Sequence, residues 1–333
     1  MRMDGEQTLG YTIEQGAGLK GLPPGRFALG RVGFSEEAVE PGLWNGAPHV
    51  SVPMLSPGDE PFTELWSTSA PVTTGSRGDL FYAHDGEHLF CCVYVPPAPT
   101  YRERVRSVYA EVFELLEELD YPHVFRIWNM IGDINQANGR GMEVYKDFCL
   151  GRAEAFESRP GTIEGMPAAT GIGSRGEGVN LHLVAGRSPG VVHIDNPRQI
   201  PAYEYPRRYG PKSPSFSRAT RREPDGTLYI SGTASIIGHD TVHIGDFERQ
   251  LEETFRNITA LIDGENLGRY GITGHQIKDL DSVKVYVRHD RDLPTAKAMC
   301  AEVFQGHTDI RYLNVDICRS ELLVEVEGIL PRT

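Results

Sequence analysis

The run RERVRSVYAEVFELLEEL, residues 102–119, sets Val105, Val108, Val112, Leu116 and Leu119 at three- and four-residue intervals. That spacing turns one apolar stripe toward a neighbour and predicts an amphipathic helix. Strand-like runs flank it at 80–82, 89–94 and 124–130, so the stripe has a sheet to lie on. A second helix over 142–156 and a strand over 179–184 follow. The last third of the chain repeats the order: strand 228–231, helix 247–262, strand 283–287, helix 293–304, then strands near 312–317 and 322–326. Two passes through β-α-β-α-β-β predict an α/β fold of the α+β type. Its tandem units carry mixed sheets with helices on one face, because each helix has a single stripe to bury.

Residues 1–75 are rich in glycine and proline, with short strand candidates at 27–32 and 50–54, and are expected to form a reduced third unit. Proline, glycine and charge interrupt the periodicity near 71–78 and across 197–214. The expected division is therefore 1–75, a reduced N-terminal unit; 76–212, a central unit plus a basic connector; and 213–333, a C-terminal catalytic unit.

Of the 333 residues, 39% are hydrophobic and 24% charged, which is an ordinary globular balance. No apolar run approaches the ~20 residues of a membrane span. Residues 1–7 are charged and no apolar segment follows them, so a secretory leader is not expected and the cytoplasm is the expected location. Cys91, Cys92, Cys149, Cys300 and Cys318 are odd in number and lack CxxC spacing, which argues against a disulfide framework and a zinc site. Neither HExxH nor GxGxxG, GxxxxGK[ST] or GxSxG occurs, so metal, nucleotide and serine-hydrolase chemistry lack support. A net charge of -13 disfavours nucleic acid and anionic membrane as partners.

One stretch departs from that acidity. RRYGPKSPSFSRATRR, residues 207–222, holds Arg207, Arg208, Lys212, Arg218, Arg221 and Arg222 and no acid. It fits a solvated loop between domains, or the wall of a pocket for an anion, since ligand sites favour domain seams. Arg152 shares the apolar stripe of its helix with Tyr145, Phe148, Cys149 and Phe156. It either snorkels to water or grips a substrate carboxylate with its planar fork. Arg311, ahead of the closing strands, is placed to do the same from the other unit.

In ELLVEVEG, residues 321–328, alternation puts Leu322, Val324 and Val326 on a core face and Glu321, Leu323, Glu325 and Glu327 on the other. Alternation alone fits a solvated Glu325 as well as a catalytic one. Leu323 on the same face favours the second, because a carboxyl against apolar surface keeps its proton toward neutrality, as a general acid requires. In LYISGTASIIGHD, residues 228–240, Gly232, Ala234 and Ser235 let a ligand approach the backbone.

Residues 215–330, with LYISG, QLEETFRNITALI, DSVKVYVRHD and Arg311 ahead of VEVEG, are similar to the RidA/YjgF fold. The whole chain resembles the chorismatases in FRIWNMIGDINQ (125–136), YKDFCLGRAEAF (145–156), PAYEYPRRYGPKSPSFSRA (201–219), SGTASIIGH (231–239) and DICRSELLVEVEG (316–328). The resemblance implies a monomer of RidA-like units in pseudo-threefold arrangement, a site between the central and C-terminal units, and no metal or organic cofactor. It implies chorismate as substrate, a dianion whose ring carboxylate is joined by an enolpyruvyl ether. Glu325 matches the family's acid, which protonates the terminal methylene of that ether before pyruvate leaves. Two or more of Arg152, Arg207, Arg208 and Arg311 are expected to bind the substrate's carboxylates, with Tyr145, Tyr205 and Tyr209 hydrogen-bonding ring or carboxylate oxygens. Glu321 and Glu327 are expected to be solvated.

Members of the family that form 3-hydroxybenzoate resemble this chain in a glycine and a cysteine at two pocket positions, here Gly232 and Cys318. 3-Hydroxybenzoate is therefore the expected product. Hydrolysis to a dihydroxycyclohexadiene carboxylate and formation of 4-hydroxybenzoate are the alternatives. A RidA-like imine hydrolase and a non-catalytic metabolite-binding module are rival readings of the whole chain.

Overall fold

A computed structural model describes residues 8–16, 22–37, 39–56, 58–159, 165–304 and 306–331. The N-terminal sheet is built from β1 (Leu9–Gln15), β2 (Phe27–Ser35), β3 (Val39–Trp44), β4 (Ala47–Pro53) and β5 (Phe62–Thr68), in the order β1-β5-β2-β4-β3. The central sheet contains β6 (Thr73–Arg77), β7 (Leu80–His84), β8 (His88–Val95), β9 (His123–Gly132), β10 (Ala168–Ser174) and β11 (Val179–Gly186), with α1 (Arg102–Leu119) and α2 (Val144–Ser158). The C-terminal unit contains β12 (Val191–Ile194), β13 (Ala219–Arg222), β14 (Leu228–Ala234), a small hairpin of β15 (Ile236–Ile237) and β16 (Asp240–Thr241), α3 (Phe247–Ile262), α4 (Gly264–Gly268), β17 (Ser282–Val287), α5 (Leu293–Val303), β18 (Asp309–Asn314) and β19 (Val324–Leu330).

The expected repeat is present twice, as β8-α1-β9-α2-β10-β11 and as β14-α3-β17-α5-β18-β19, each preceded by two further strands. The sheet orders are the same, β10-β9-β11-β8-β7-β6 and β18-β17-β19-β14-β13-β12. In both, a helix carries the crossover between the parallel strands, β9 to β10 and β17 to β18. The N-terminal sheet keeps the four-strand heart of this pattern as β4-β2-β5-β1, with β2 parallel to β4, but β3 replaces the crossover helix. It is a reduced copy of the same topology.

Helices on one face leave the other face of each sheet to be buried elsewhere. α1 and α2 cover the central sheet, and α3 and α5 cover the C-terminal sheet. The opposite faces of all three sheets meet in one shared core, which joins Val32 and Trp66 to Phe125, Trp128 and Ile172 and to Tyr229, Tyr286 and Leu313. The three units are arranged pseudo-threefold about it, with Trp66 and Trp128 packed at 5.7 Å between ring centres.

Sheet membership moves two expected boundaries. β6 straddles residue 75, and β12 already pairs with β13, so the third sheet begins at Val191 and not at 213. The proline-rich stretch read as a link between units is an excursion between the first two strands of the third sheet. It lies over the seam where β10 meets β13 and β14. There the edge of β10 is satisfied by side chains of the other unit: Ala168 N–H donates to Thr220 Oγ1 (2.8 Å) and Ala169 N–H to Ser231 Oγ (2.9 Å). Among the described residues no helix is long and apolar enough to cross a membrane.

Candidate active site

At this seam lies a cavity of about 440 Å³, within the usual range for small-molecule sites. β10 contributes Ala169 and Gly171, β14 contributes Gly232 and Ala234, and β19 contributes Glu325. Tyr145 and Cys149 enter from α2, Tyr205, Tyr209, Phe216 and Arg218 from the excursion, and Cys318 and Arg319 from the segment ahead of β19. The small residues on β10 and β14 let the cavity reach the backbone of both sheets.

The Glu325 side chain is buried against Gly232, and Cys318 Sγ stands 3.9 Å from its Oε2. Burial pushes its carboxyl up to about 8, the Glu327 carboxylate adds to the rise, and the Arg126 and Arg218 guanidiniums oppose it. A carboxyl so placed holds a proton at neutral pH and faces a cavity, as a general acid must.

The physical source of this protonation differs from the one expected. Leu322 packs in the shared core, whereas Leu323 packs on the helix side with Val324 and Val326. Leu323 N–H donates to Gln250 Oε1 (2.8 Å), and regular pairing starts at Val324. Alternation therefore fails between 322 and 324, and Leu323 does not desolvate Glu325; the closed seam does.

Glu327 also departs from expectation, because its face of the strand meets the shared core and not solvent. It is buried, accepts from Arg126 Nη2 (2.7 Å) and from Thr170 Oγ1 on Oε2, and accepts from Trp128 Nε1 (2.9 Å) on Oε1. Lys284 Nζ lies 2.8 Å from Oε1 and bridges to Glu64 of β5 at 2.6 Å. Burial works against ionisation here, but Lys284 and Arg126 outweigh it and hold Glu327 down to about 2. Glu321 alone of the two is exposed, at the cavity rim.

Three arginines, Arg208, Arg218 and Arg319, line the cavity. Buried Arg218 donates from Nη2 to Tyr205 Oη (2.7 Å) and Ile200 O (3.0 Å), while its Nε has no protein partner. Arg319 donates from Nη1 to His239 O (2.9 Å) and Thr241 Oγ1 (3.2 Å), and its guanidinium lies 3.9 Å from the centre of the Tyr209 ring. Arg208, Lys146 and Lys212 add positive charge to the lining, each paired with an acid.

Of the four arginines singled out from the sequence, Arg208 lines the cavity and the other three lie elsewhere. Arg152 is buried behind the cavity, where it donates from Nε to Tyr109 Oη (2.9 Å) and from Nη1 to Ser215 O. Its place in the stripe reflects this inward reach, which braces the excursion from below. Arg207 is exposed and lines a separate depression with Tyr203 and Pro211, because the short turn around it points Tyr209 inward instead. Arg311 sits on β18, three strands from β14 in the sheet order, pairs with Asp309 and lies 5.3 Å from the Phe62 ring of the N-terminal unit. Tyr145, Tyr205, Tyr209, Gly232 and Cys318 do line the cavity. Arg218 and Arg319, which line the cavity, were not among the expected ligands: one is hidden in a run of like charges, the other adjoins Cys318 in the closing motif.

A protonated carboxyl in a seam cavity walled by three arginines and three tyrosines defines an acid–base enzyme of a small anionic metabolite. Comparison with known proteins narrows the class. A family model described as chorismatase FkbO/Hyg5-like, N-terminal, matches residues 64–185. A 3-hydroxybenzoate synthase of Streptomyces hygroscopicus is 50% identical over 92% of this chain and 93% of its own. A chorismatase of Streptomyces rapamycinicus is 39% identical over 98% and 94%. A crystal structure of a chorismatase superposes with a TM-score of 0.92 at 38% identity, covering 97% of this chain and 98% of the other. The chain belongs to the chorismatase family.

Proposed function

We propose that this enzyme removes pyruvate from chorismate to give 3-hydroxybenzoate, and that Glu325 starts the reaction as proton donor. The observation that carries the reading is a carboxyl kept protonated near neutrality, facing a cavity whose wall holds the Arg218 and Arg319 guanidiniums. The two products together contain the atoms of chorismate, so no water is consumed overall. Glu325 gives its proton to the terminal methylene carbon of the enolpyruvyl ether. The double-bond electrons form the new C–H bond, and the adjacent carbon becomes an oxocarbenium centre. The neighbouring ring hydroxyl gives its proton to the Glu325 carboxylate as its oxygen attacks the ether-bearing ring carbon, breaking the bond to the ether oxygen, releasing pyruvate and leaving an epoxide across the two carbons. The epoxide opens at the carbon that first bore the hydroxyl, and the proton lost from the other carbon balances the one taken up by the oxygen, giving aromatic 3-hydroxybenzoate.

In this reading Arg218 and Arg319 bind the two carboxylates, with Tyr145, Tyr205 and Tyr209 on ring or carboxylate oxygens. Arg218 Nε, buried and unpartnered, is free to donate. Positioning by such clamps lowers a barrier by several kcal/mol. Gly232 and Cys318 shape the floor beside Glu325 and support the 3-hydroxybenzoate route. The cavity is built by one chain, which supports a monomer, and we place the enzyme in the cytoplasm, where no disulfide is needed by its free cysteines.

Chorismate incubated with the protein in heavy-oxygen water tests the proposal. Pyruvate with 3-hydroxybenzoate whose ring hydroxyl lacks solvent oxygen is the expected result. A solvent-labelled ring diol would assign hydrolysis instead, and chorismate recovered unchanged would sink the catalytic reading.

A further inference from the structure

Behind Glu325 lies a group of charges to which all three units contribute. Glu64 comes from the N-terminal sheet, Arg126 from the central sheet, and Lys284 and Glu327 from the C-terminal sheet, and all are at most 4% exposed. Two acids and two bases make this group neutral as a whole. It touches the active-site floor through Thr170, whose Oγ1 accepts from Gly232 N–H (3.0 Å) and from Arg126 Nη2 (2.6 Å) and donates to Glu327. Glu325 and Glu327 are two residues apart on one face of β19, which sets their Cα atoms about 6.7 Å apart.

We propose that Glu327, with Lys284, is a positioning pair that tunes the charge state of the proton donor: the ionised carboxylate adds to burial in keeping Glu325 uncharged, and Lys284 limits how much it adds. This deepens the reading of Glu325 as the acid and rests on it. Opposing cations face Glu325 from Arg126 on β9 and from Arg218 ahead of β13, with Arg319 farther along the cavity wall. The remaining titratable neighbours are neutral: Tyr145 and Cys149 of α2, Cys318 ahead of β19 and Tyr286 of β17 are all raised, mainly by burial. The N-terminal unit takes part because Glu64 shares Lys284 and so completes the neutral set.

Each substitution in the pair has a signed effect. Glu327→Gln leaves the group with a net positive charge, which eases ionisation of Glu325. Lys284→Met leaves it net negative, which hinders ionisation. At the separation given above, a unit charge shifts a neighbour by on the order of one pH unit. The basic limb of the kcat/KM profile for chorismate should therefore move down by about one pH unit in Glu327→Gln and up in Lys284→Met. The double variant Glu327→Gln/Lys284→Met, again neutral, should return close to the unaltered profile, and removal of both partners is the substitution that such a core tolerates best. Circular dichroism checks that each variant is folded. A merely structural pair would lower kcat in both single variants with the limb unmoved, and that result, or shifts of the same sign, overturns the proposal. Should Glu325 not be the acid, Glu325→Gln retains turnover, which separates failure of the underlying reading from failure of this one.

Discussion

Gly232 leaves open the space that the Glu325 carboxyl occupies: a Cβ at position 232 would overlap Oε1, with the carboxyl carbon and Thr170 Oγ1 close behind. The glycine therefore does more than admit a ligand to the backbone, since it seats the acid. Gly232→Ala must turn the carboxyl out of its place, and an acid displaced by an ångström is a poor donor to a fixed carbon. The expected outcome is a loss of about tenfold or more in kcat with KM changed less, and a changed ratio of aromatic to hydrated products by liquid chromatography. Unaltered kcat and product would mean that Glu325 is seated by something else.

Glu325 links activity and stability with opposite signs. Its ordinary value is 4.5 and its folded value about 8. Between the two the unfolded chain has released a proton that the folded chain retains, so stability falls as pH rises through this window and levels off above it. The difference is several kcal/mol. Glu325→Gln removes the ionisation, and its melting temperature should exceed that of the unaltered protein at pH 9 and converge with it toward pH 5, while turnover is nearly abolished and affinity for chorismate stays within a few-fold. In the unaltered enzyme kcat/KM should fall about tenfold per pH unit above 8. A flat profile to pH 10 would move the proton donor elsewhere.

The arginines sort by position. Arg218→Ala and Arg319→Ala each remove a charged donor from the cavity wall, at about 1.5–3 kcal/mol per hydrogen bond to charge, so kcat/KM for chorismate should drop roughly ten- to hundredfold. Arg319→Lys should restore little, because an ammonium does not stack on Tyr209 as a guanidinium does. Arg207→Ala, exposed on the far side of the excursion, should stay within about twofold. Equal losses at Arg207 and Arg218 would contradict the cavity assignment, and steady-state kinetics of the four variants decides it.

How much of this was legible beforehand follows from what periodicity can register. α1 and α3 were placed to the residue because each carries a continuous apolar stripe. β10 was missed, since AATGIGS has small residues in place of an apolar run. That omission hid the seam itself. Glu325 does reach the cavity, but for a reason other than the one read from the sequence, because alternation counts faces without knowing what lies opposite them. The face read as solvated meets the inner faces of two other sheets, so Glu327 became a buried ion and not a surface one. Selection among the five arginines of the basic run needs the path of the excursion, which proline fixes locally but no spacing rule aims.

Arg152 gives the last test, because its position predicts an effect on the wall of the site and not on a bound carboxylate. Its guanidinium lies 4.9 Å from the Phe156 ring and holds Tyr109 Oη and the carbonyl of Ser215, one residue before Phe216 and three before Arg218. Removing it leaves that carbonyl and the Tyr109 hydroxyl short of a buried donor, which costs about 1–3 kcal/mol. Arg152→Met should therefore lower the melting temperature by several degrees and raise KM for chorismate, while saturating chorismate recovers most of kcat and itself raises the melting temperature as it reorders the excursion. Direct loss of a carboxylate ligand predicts the reverse: a melting temperature near that of the unaltered protein without ligand, and a smaller rise in melting temperature than in the unaltered protein at the same ligand concentration. Thermal unfolding with and without a non-reacting aromatic dicarboxylate distinguishes the two.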